Sequence, residues 1–258
     1  MANPDSTRTG WTRYLAPGGL AVGAGLMFLM IAGPAVAQQL SLNLGESGSL
    51  TGRVLQLVAL LTILSLAPSI LVMVTSFTRI VVVLSLTRSA IGIQQSPPNS
   101  VLVSLALFLT AFIMAPTLEQ SYRDGIVPYM NDQIAETEAF EKGIAPFRTF
   151  MLAQVREKDL SLFFDLAKAE PPKDPQATPL HVLVPAFMIS ELRRAFEIGF
   201  LIFVPFIVID MVVASVLMSM GMMMLPPIII SLPFKLIFFV MVDGWNLIAG
   251  SLVQSFTG

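Results

Sequence analysis

The sequence contains no cysteine and a single histidine, His181. Without cysteine the chain offers no disulfide, no thiolate metal site and no thiol nucleophile. His181 has no second histidine with which to share a metal ion, so we interpret it as an ordinary surface residue. The HExxH, GxSxG and GxGD motifs and the phosphate-binding glycine loop are missing as well. The sequence therefore predicts a protein that is not an enzyme and that uses no metal or cofactor.

Charged residues are also scarce. They make up 12% of the chain, against roughly 25% in an average soluble domain. The formal net charge is -2, hydrophobic residues make up 55% of the chain, and the mean hydropathy is +0.77. A chain without a basic surplus does not look like a nucleic-acid-binding protein. This composition predicts a membrane protein.

The first 37 residues match the pattern of a secretory signal peptide. Arg8 and Arg13 precede an apolar stretch at residues 15–31, and Ala35–Ala37 supplies the small residues of a cleavage site. An uncleaved first span is the alternative, which the short, glycine-rich apolar run makes weaker. We expect cleavage after Ala37, with the mature N terminus on the periplasmic side of the bacterial inner membrane. With this orientation Arg79 and Arg88 agree with the positive-inside rule, by which basic residues are more frequent on the cytoplasmic side of the membrane.

Two apolar segments of unusual length come next. Residues 54–86 form an apolar run of 33 residues, which exceeds the ~20 that cross a bilayer. We expect Pro68 to break or kink this segment. Residues 101–115, bracketed by Pro98 and Pro116, are shorter than a comfortable span.

Two further apolar segments, residues 198–218 and 228–253, are about long enough to span a bilayer, although Pro205 and Pro233 interrupt them. Such prolines are tolerated where protein, rather than lipid, satisfies the freed backbone groups. The predicted fold class is therefore all-α: about four apolar helical segments in polytopic, membrane-type hairpins, with a small helical periplasmic insertion.

The insertion, residues 117–197, carries 22 of the chain's 32 charged residues. Apolar spacing predicts short amphipathic helices at residues 145–152 and 160–167, and the proline-rich residues 170–179 predict an extended linker. So small a module is expected to pack on copies of itself or on partners. The predicted domains are a signal peptide (1–37), a short periplasmic segment (38–53), a first hairpin region (54–116), the insertion (117–197) and a second hairpin (198–258).

The turn of the second hairpin, Met218–Pro227, is dense in methionine. Six of the fifteen methionines lie between Met211 and Met224, and no residue from Met211 to Leu225 is charged. Methionine is flexible and polarizable, so a cluster of methionines can fill an irregular gap, part and refill it. We interpret the turn either as a deformable gasket that closes a pore or as a Met-rich turn buried in a neighbour.

Asp210 and Lys235 lie on the two arms of this hairpin. Asp210 precedes Ser219 by nine residues and Lys235 follows Pro227 by eight, so both are about 12 to 14 Å from the turn at a rise of 1.5 Å per residue. An isolated charge in an apolar environment costs about 2.5 to 3.5 kcal/mol. The matching depth predicts a buried charge pair that clamps the hairpin; a proton or ion relay is the alternative.

A charged cluster stands just before the third apolar segment, with i,i+3 and i,i+4 spacings. Its members could pair along one helix or between subunits. Because so apolar a chain is expected to oligomerise, we predict inter-subunit ion pairs for Glu191, Arg193, Arg194 and Glu197.

Three long stretches resemble the FliP family of type III secretion export-gate proteins. They are Leu64–Pro116, Pro185–Pro227 and Leu232–Leu247, the last reading LPFKLIFFVMVDGWNL. The resemblance covers most of the mature chain, and residues 38–52 carry little of it.

The resemblance implies a pore-forming subunit of the flagellar export gate, located in the inner membrane and basal body. It implies a pentamer that associates with FliQ and FliR, works with FlhA and FlhB, and passes unfolded flagellar subunits. It also implies that the helices pack in a pore-enclosing cone. In the family the methionine turn forms the gasket, and the residues that occupy it here are Met220, Met222, Met223 and Met224.

Two other functions remain open at this point. An injectisome export-gate subunit would share the same core, although the signal peptide and the long insertion resemble the flagellar branch. An ion-coupled secondary transporter would also have broken helices and buried charged residues.

Overall fold

The computed structural model describes residues 50–93, 95–222 and 224–257. The predicted signal peptide, most of the segment 38–53 and Met223 lie outside these ranges. The chain divides into two units, Met1–Thr62 and Ile63–Gly258. The described part of the first unit is the beginning of one helix, and the features discussed below belong to the second.

The described ranges are helical and contain no strand, which confirms the all-α prediction. The α-helices are α1 (Leu50–Met73), α2 (Phe77–Ile91), α3 (Asn99–Ser121), α4 (Val127–Met130), α5 (Glu136–Gln154), α6 (Glu157–Ala167), α7 (Leu180–Ser219), α8 (Pro227–Met241) and α9 (Gly244–Thr257). A π-helix, Tyr122–Ile126, joins α3 to α4, and a 3-10 turn, Pro175–Ala177, precedes α7.

Two of these helical stretches are long and apolar enough to cross a membrane. They are Asn99–Met130, with 32 residues, and Leu180–Ser219, with 40 residues. Two bent pairs, α1 with α2 and α8 with α9, raise the number to four if each pair is one span. The expectation of about four apolar helical segments is thereby met.

Prolines interrupt these helices less than the sequence suggested. Helix α3 continues through Pro116 to Ser121, so the expected isolated segment at residues 101–115 is wrong. Helix α7 continues through Pro205, and α8 through Pro233. A proline removes one N–H group from the helix, and the hydrogen bonds on either side continue the helix beyond it.

The first apolar segment breaks at residues 74–76 rather than at Pro68. Helix α7 also runs without a break across residues 197 and 198, where we placed a domain boundary. The proposed division into domains stays a prediction.

Helix α2 forms the centre of the core. Its buried residues Ile80, Val83 and Leu84 follow helical spacing and pack with apolar side chains of α3, α7 and α9. At Gly199 of α7 an added Cβ would lie 2.3 Å from Leu86 Cδ1, so α2 and α7 approach closely there. The first half of α7 is thus packed against α2.

The insertion packs on the beginning of α7. Met151 of α5 is buried together with Leu183 and Phe187 of α7, and Leu160 of α6 covers this cluster. The π-helix crosses α5 at a glycine pair: a Cβ at Gly125 would lie 2.7 Å from Gly143 Cα. The insertion therefore shares its core with α7.

Candidate functional site

The methionine turn is built on a glycine-terminated helix end. Gly221 has φ +74° directly after α7. Gly221 N donates to Met218 O at 3.1 Å, and Met222 N donates to Leu217 O at 3.0 Å. These two hydrogen bonds and the left-handed glycine form a Schellman cap. Pro227 then begins α8, at the helix position where a missing N–H is harmless.

The cap leaves the methionine side chains uncovered. Met220 and Met222 are exposed, and Met224 is 99% exposed. No charged residue lies nearby in sequence, from Met211 to Leu225. The structure thus places three of the four predicted gasket methionines together at the tip of the hairpin, and Met223 lies outside the described residues.

Asp210 and Lys235 meet across the hairpin. Lys235 Nζ lies 2.6 Å from Asp210 Oδ2, with the lysine side chain 7% exposed and the aspartate side chain 34% exposed. Ser231 Oγ donates to Asp210 Oδ1 at 2.6 Å. Ser231 and Lys235 are one helical turn apart on α8, so both reach the same carboxylate. This arrangement ties α8 to α7.

Sequence reasoning did not single out Ser231. Its position four residues before Lys235 is the signal that could have found it, since i,i+4 residues share one helix face. Aromatic packing adds to the same hairpin: the Phe206 ring centroid lies 6.0 Å from that of Phe238 and 6.3 Å from that of Phe239.

The charged cluster at the start of α7 is divided between core and surface. Arg193 Nε donates to Glu197 Oε1 at 2.8 Å along the exposed helix face. Arg194 Nη1 donates to Gln154 Oε1 at 2.9 Å. Glu191 is fully buried and bound within its own chain. The ion pairs between subunits stay a prediction.

The partner of Glu191 is Arg79 of α2. Arg79 Nε donates to Glu191 Oε2 at 2.8 Å, and Arg79 Nη2 donates to Glu191 Oε1 and, at 3.0 Å, to Gln154 Oε1. Arg79 Nη1 donates to Ser255 O and Oγ, and the guanidinium carbon lies 3.7 Å from the Phe256 ring centroid. One buried arginine therefore connects α2, α5, α7 and α9.

Sequence reasoning used Arg79 only to predict the orientation of the chain in the membrane. The available signal was a lone cation inside an apolar run of 33 residues. Its partner lies 112 positions further along the chain, which spacing within one sequence does not disclose.

A third polar cluster holds α6 on α7. The Arg156 guanidinium donates two hydrogen bonds to the Asp159 carboxylate, each 2.8 Å long. Ser190 Oγ donates to Asp159 Oδ2 at 2.6 Å. The hydrogen bonds from Arg156 lower the pKa of Asp159, and the pKa of Arg156 is raised in turn. The sequence reasoning missed this cluster.

Within the part of the chain that the structure describes, no group of three or more histidine, aspartate or glutamate side chains is placed to hold a metal ion. His181 lies on the surface, at the beginning of α7. The candidate site therefore consists of the exposed methionine turn and the Asp210–Lys235 charge pair.

The sequence that forms this site can be compared with the sequences of known proteins. A family model described as the FliP family matches residues 60–252, which include the methionine turn, the Asp210–Lys235 pair and the Arg79–Glu191 pair. The chain belongs to the FliP family. The resemblance read from the sequence is confirmed.

Curated FliP relatives match most of the chain. The flagellar biosynthetic protein FliP of Caulobacter vibrioides is 62% identical over 238 residues, covering 92% of this chain and 90% of the relative. The protein of the same name from Bacillus subtilis is 56% identical over 201 residues, with 78% and 91% covered. The one from Rhizobium meliloti is 52% identical over 217 residues, with 83% and 89% covered.

As a FliP family member the chain is a flagellar biosynthesis protein of the export apparatus, with apolar helices of membrane type. Proteins of this family are not enzymes, so that prediction is confirmed.

Proposed function

We propose that this chain is a pore-forming subunit of the flagellar type III protein export gate, through which unfolded flagellar subunits pass. The observation that carries the proposal is the capped, uncharged hairpin tip with Met220, Met222 and Met224 exposed. Exposed apolar side chains at a helix hairpin tip are expected to be covered in the assembled protein. A ring of such tips would bring methionines of neighbouring copies together.

The chemistry of methionine suits a seal that opens. Its three rotatable bonds and polarizable sulfur let a cluster exclude water and ions, part around a polypeptide and close again. The left-handed Gly221 fixes where the helix ends, so the same side chains return to the same place. The methionine turn, Met223 included, is thus proposed as the gasket.

The hairpin needs a fixed base for such a seal. Asp210 already accepts hydrogen bonds from Lys235 and Ser231, which favours a structural clamp over an ion relay. An ion-coupled transporter would need a buried charged group that exchanges partners during transport. The bonds of Asp210 to Lys235 and Ser231 make the buried charges weaker support for that alternative. The flagellar name of the curated relatives favours the flagellar gate over an injectisome gate.

The proposed surroundings follow from this function. The chain would form a homo-oligomer, a pentamer by resemblance, that associates with FliQ and FliR and works with FlhA and FlhB. It would lie in the inner membrane and the flagellar basal body after cleavage of the signal peptide behind Ala37. Any ion pairs between subunits would be made by the exposed residues Arg193 and Glu197 and by the half-buried Arg194.

An in-frame deletion tests the function. Electron microscopy of the deletion strain should show neither hooks nor filaments, and the intact gene should restore both. The same gene with a stop codon at position 60 is the matched control and should restore neither. Normal filaments on the deletion strain would contradict the proposal.

A further inference from the structure

The methionines of the chain differ widely in their access to solvent. Met114 and Met151 are buried, whereas Met220 and Met222 are exposed and Met224 is 99% exposed. Within residues 50–93, 95–222 and 224–257, no other stretch of similar length has as many exposed methionines as the methionine turn. A small solute that reacts with sulfur can reach an exposed thioether directly, while a buried one is protected by its neighbours.

The thioether is the group in this turn that is most easily oxidised. The chain has no cysteine, so no thiol of its own competes for a two-electron oxidant. When hydrogen peroxide attacks, its O–O bond breaks and one oxygen atom forms a bond to the sulfur. The hydrogen of that oxygen moves to the other oxygen, which leaves as water. The sulfur loses two electrons and the peroxide gains them, so the reaction needs no further reactant.

Oxidation would change the property on which a seal depends. A thioether is apolar and accepts hydrogen bonds weakly, whereas the oxygen of a sulfoxide is polar and needs a donor. Residues 220–227 have no side chain that could donate a hydrogen bond. The hydroxyl of Ser219 already donates to Val216 O at 2.8 Å. A sulfoxide in this turn would therefore draw its hydrogen bonds from water.

We infer that the methionine turn is an oxidation site, at which hydrogen peroxide converts Met220, Met222 and Met224 to sulfoxides and thereby makes the closed gate permeable to small ions. The inference rests on the proposed function, because it describes a modification that regulates the proposed seal. The two ends of a closed seal still face water, so an oxidant hardly larger than a water molecule reaches the sulfur atoms there. Because the chain has no thiol, reversal requires a separate thiol-dependent sulfoxide reductase.

Peptide mass spectrometry tests where the oxygen is added. Gate complexes would be purified with their partner proteins, treated with hydrogen peroxide for increasing times and then digested. The inference expects one added oxygen on each of Met220, Met222 and Met224 before any appears on the buried Met114 and Met151. A turn that stays unoxidised, or that is oxidised no faster than the two buried methionines, would overturn the inference.

Ion leak tests what the oxidation does. Vesicles that contain the assembled gate complexes would be compared before and after peroxide treatment. The turn variant carries Met220→Leu, Met222→Leu, Met223→Leu and Met224→Leu, since leucine is similar to methionine in volume but has no sulfur. The matched control is Met130→Leu, because Met130 is exposed on α4 of the insertion, outside the methionine turn.

The readout is the leak after treatment divided by the leak before it, so the starting leak of each variant does not affect the comparison. For the original chain and for Met130→Leu this ratio should be about 10, because water and ions enter a seal more easily once it contains hydrated sulfoxides. For the turn variant the ratio should stay near one. Equal ratios for all three proteins would overturn the inference.

A sulfoxide reductase supplied with dithiothreitol should return the leak of the treated original chain to its starting value, whereas dithiothreitol alone should not. A leak that persists after the reductase has removed the added oxygen would contradict the inference, because the damage would then lie elsewhere.

Failure of this inference can be told apart from failure of the proposed function. A gate that stays closed to ions after its turn has been shown to be oxidised would contradict the regulation and leave the export function standing. A deletion strain with normal filaments would contradict the function instead.

Discussion

Helix α7 passes through two different environments. In its first half, Glu191 is fully buried and bound by Arg79, and Gly199 lies against Leu86. In its second half Met211 and Val212 are exposed, and Asp210 is the only charged residue after Glu197. The same helix is therefore packed against its own chain at one end and uncovered at the other.

This difference indicates that the first half of α7 matters for folding of the chain and the second half for its assembly with partners. The buried polar cluster of the first half satisfies its hydrogen bonds within the chain, so this region can fold before partners arrive. The second half satisfies its one charge pair but leaves apolar side chains exposed, which partners would cover. Substitutions in the first half should accordingly affect the stability of the chain, and substitutions in the second half should affect its assembly.

The largest effect is expected at Arg79. Arg79→Met leaves the Glu191 carboxylate buried without its cation, which should lower the free energy of unfolding by about 3 to 5 kcal/mol. Denaturant unfolding of the purified chain in detergent measures this change. Combining it with Glu191→Met should restore part of the loss, because both charged groups are then gone. A double variant as unstable as the single one would contradict the pairing.

The charge pair of the hairpin should respond unequally to its two single substitutions. Asp210→Asn leaves the buried Lys235 ammonium uncompensated, at a cost of about 2 to 3 kcal/mol. Lys235→Gln should cost less, because Asp210 is 34% exposed and keeps the hydrogen bond from Ser231.

The yield of assembled oligomer from detergent-solubilised membranes measures both variants. The exchange of the two residues, Asp210→Lys with Lys235→Asp, should assemble better than either single charge-removing variant. An exchange that restores nothing, or equal losses from the two single variants, would count against the clamp.

Two glycines provide a matched test of packing. Gly125→Ala places a Cβ 2.7 Å from Gly143 Cα and 2.9 Å from Ala139 O, so the π-helix must move away from α5. Overpacking of this kind costs about 1 to 3 kcal/mol. Gly250→Ala meets open space on α9 and should gain about 0.5 to 1 kcal/mol. Unfolding midpoints that change in the same direction would show that the crossing is not tight.

The smallest effect is a dependence on pH in the insertion. The pKa of Asp159 is lowered in the folded chain by the hydrogen bonds from Arg156. Its contribution to stability is therefore complete above the unfolded pKa of about 3.9 and is lost as the pH falls through the lower folded value. The unfolding midpoint should therefore fall as the pH is lowered across this window. Asp159→Asn should remove that part of the pH dependence; an unchanged slope would contradict the assignment.

The sequence predicted the local features well. Apolar run lengths indicated the helices, and counting residues from the turn placed Asp210 and Lys235 at equal depth, where the structure has them 2.6 Å apart. Such features depend on helix geometry alone. The methionine-dense stretch between two apolar segments indicated the turn between α7 and α8.

The sequence could not disclose the long-range partners. Arg79 and Glu191 are 112 positions apart, and nothing in their spacing joins them. Glu191 was grouped with Arg193, Arg194 and Glu197 because of its helical spacing, whereas the structure buries it within its own chain. The effect of Pro116 was overestimated because one missing N–H does not end a helix that is supported on both sides.

The central claim concerns the methionine turn as a seal, and ion leak through the assembled gate tests it most directly. Cells that produce the chain with Met222→Ala, Met223→Ala and Met224→Ala would be compared with cells that produce the original chain, after normal assembly has been verified. The account predicts a greater leak of small ions across the inner membrane, because alanine cannot fill the gap that methionine fills. An unchanged leak in normally assembled gates would contradict the gasket.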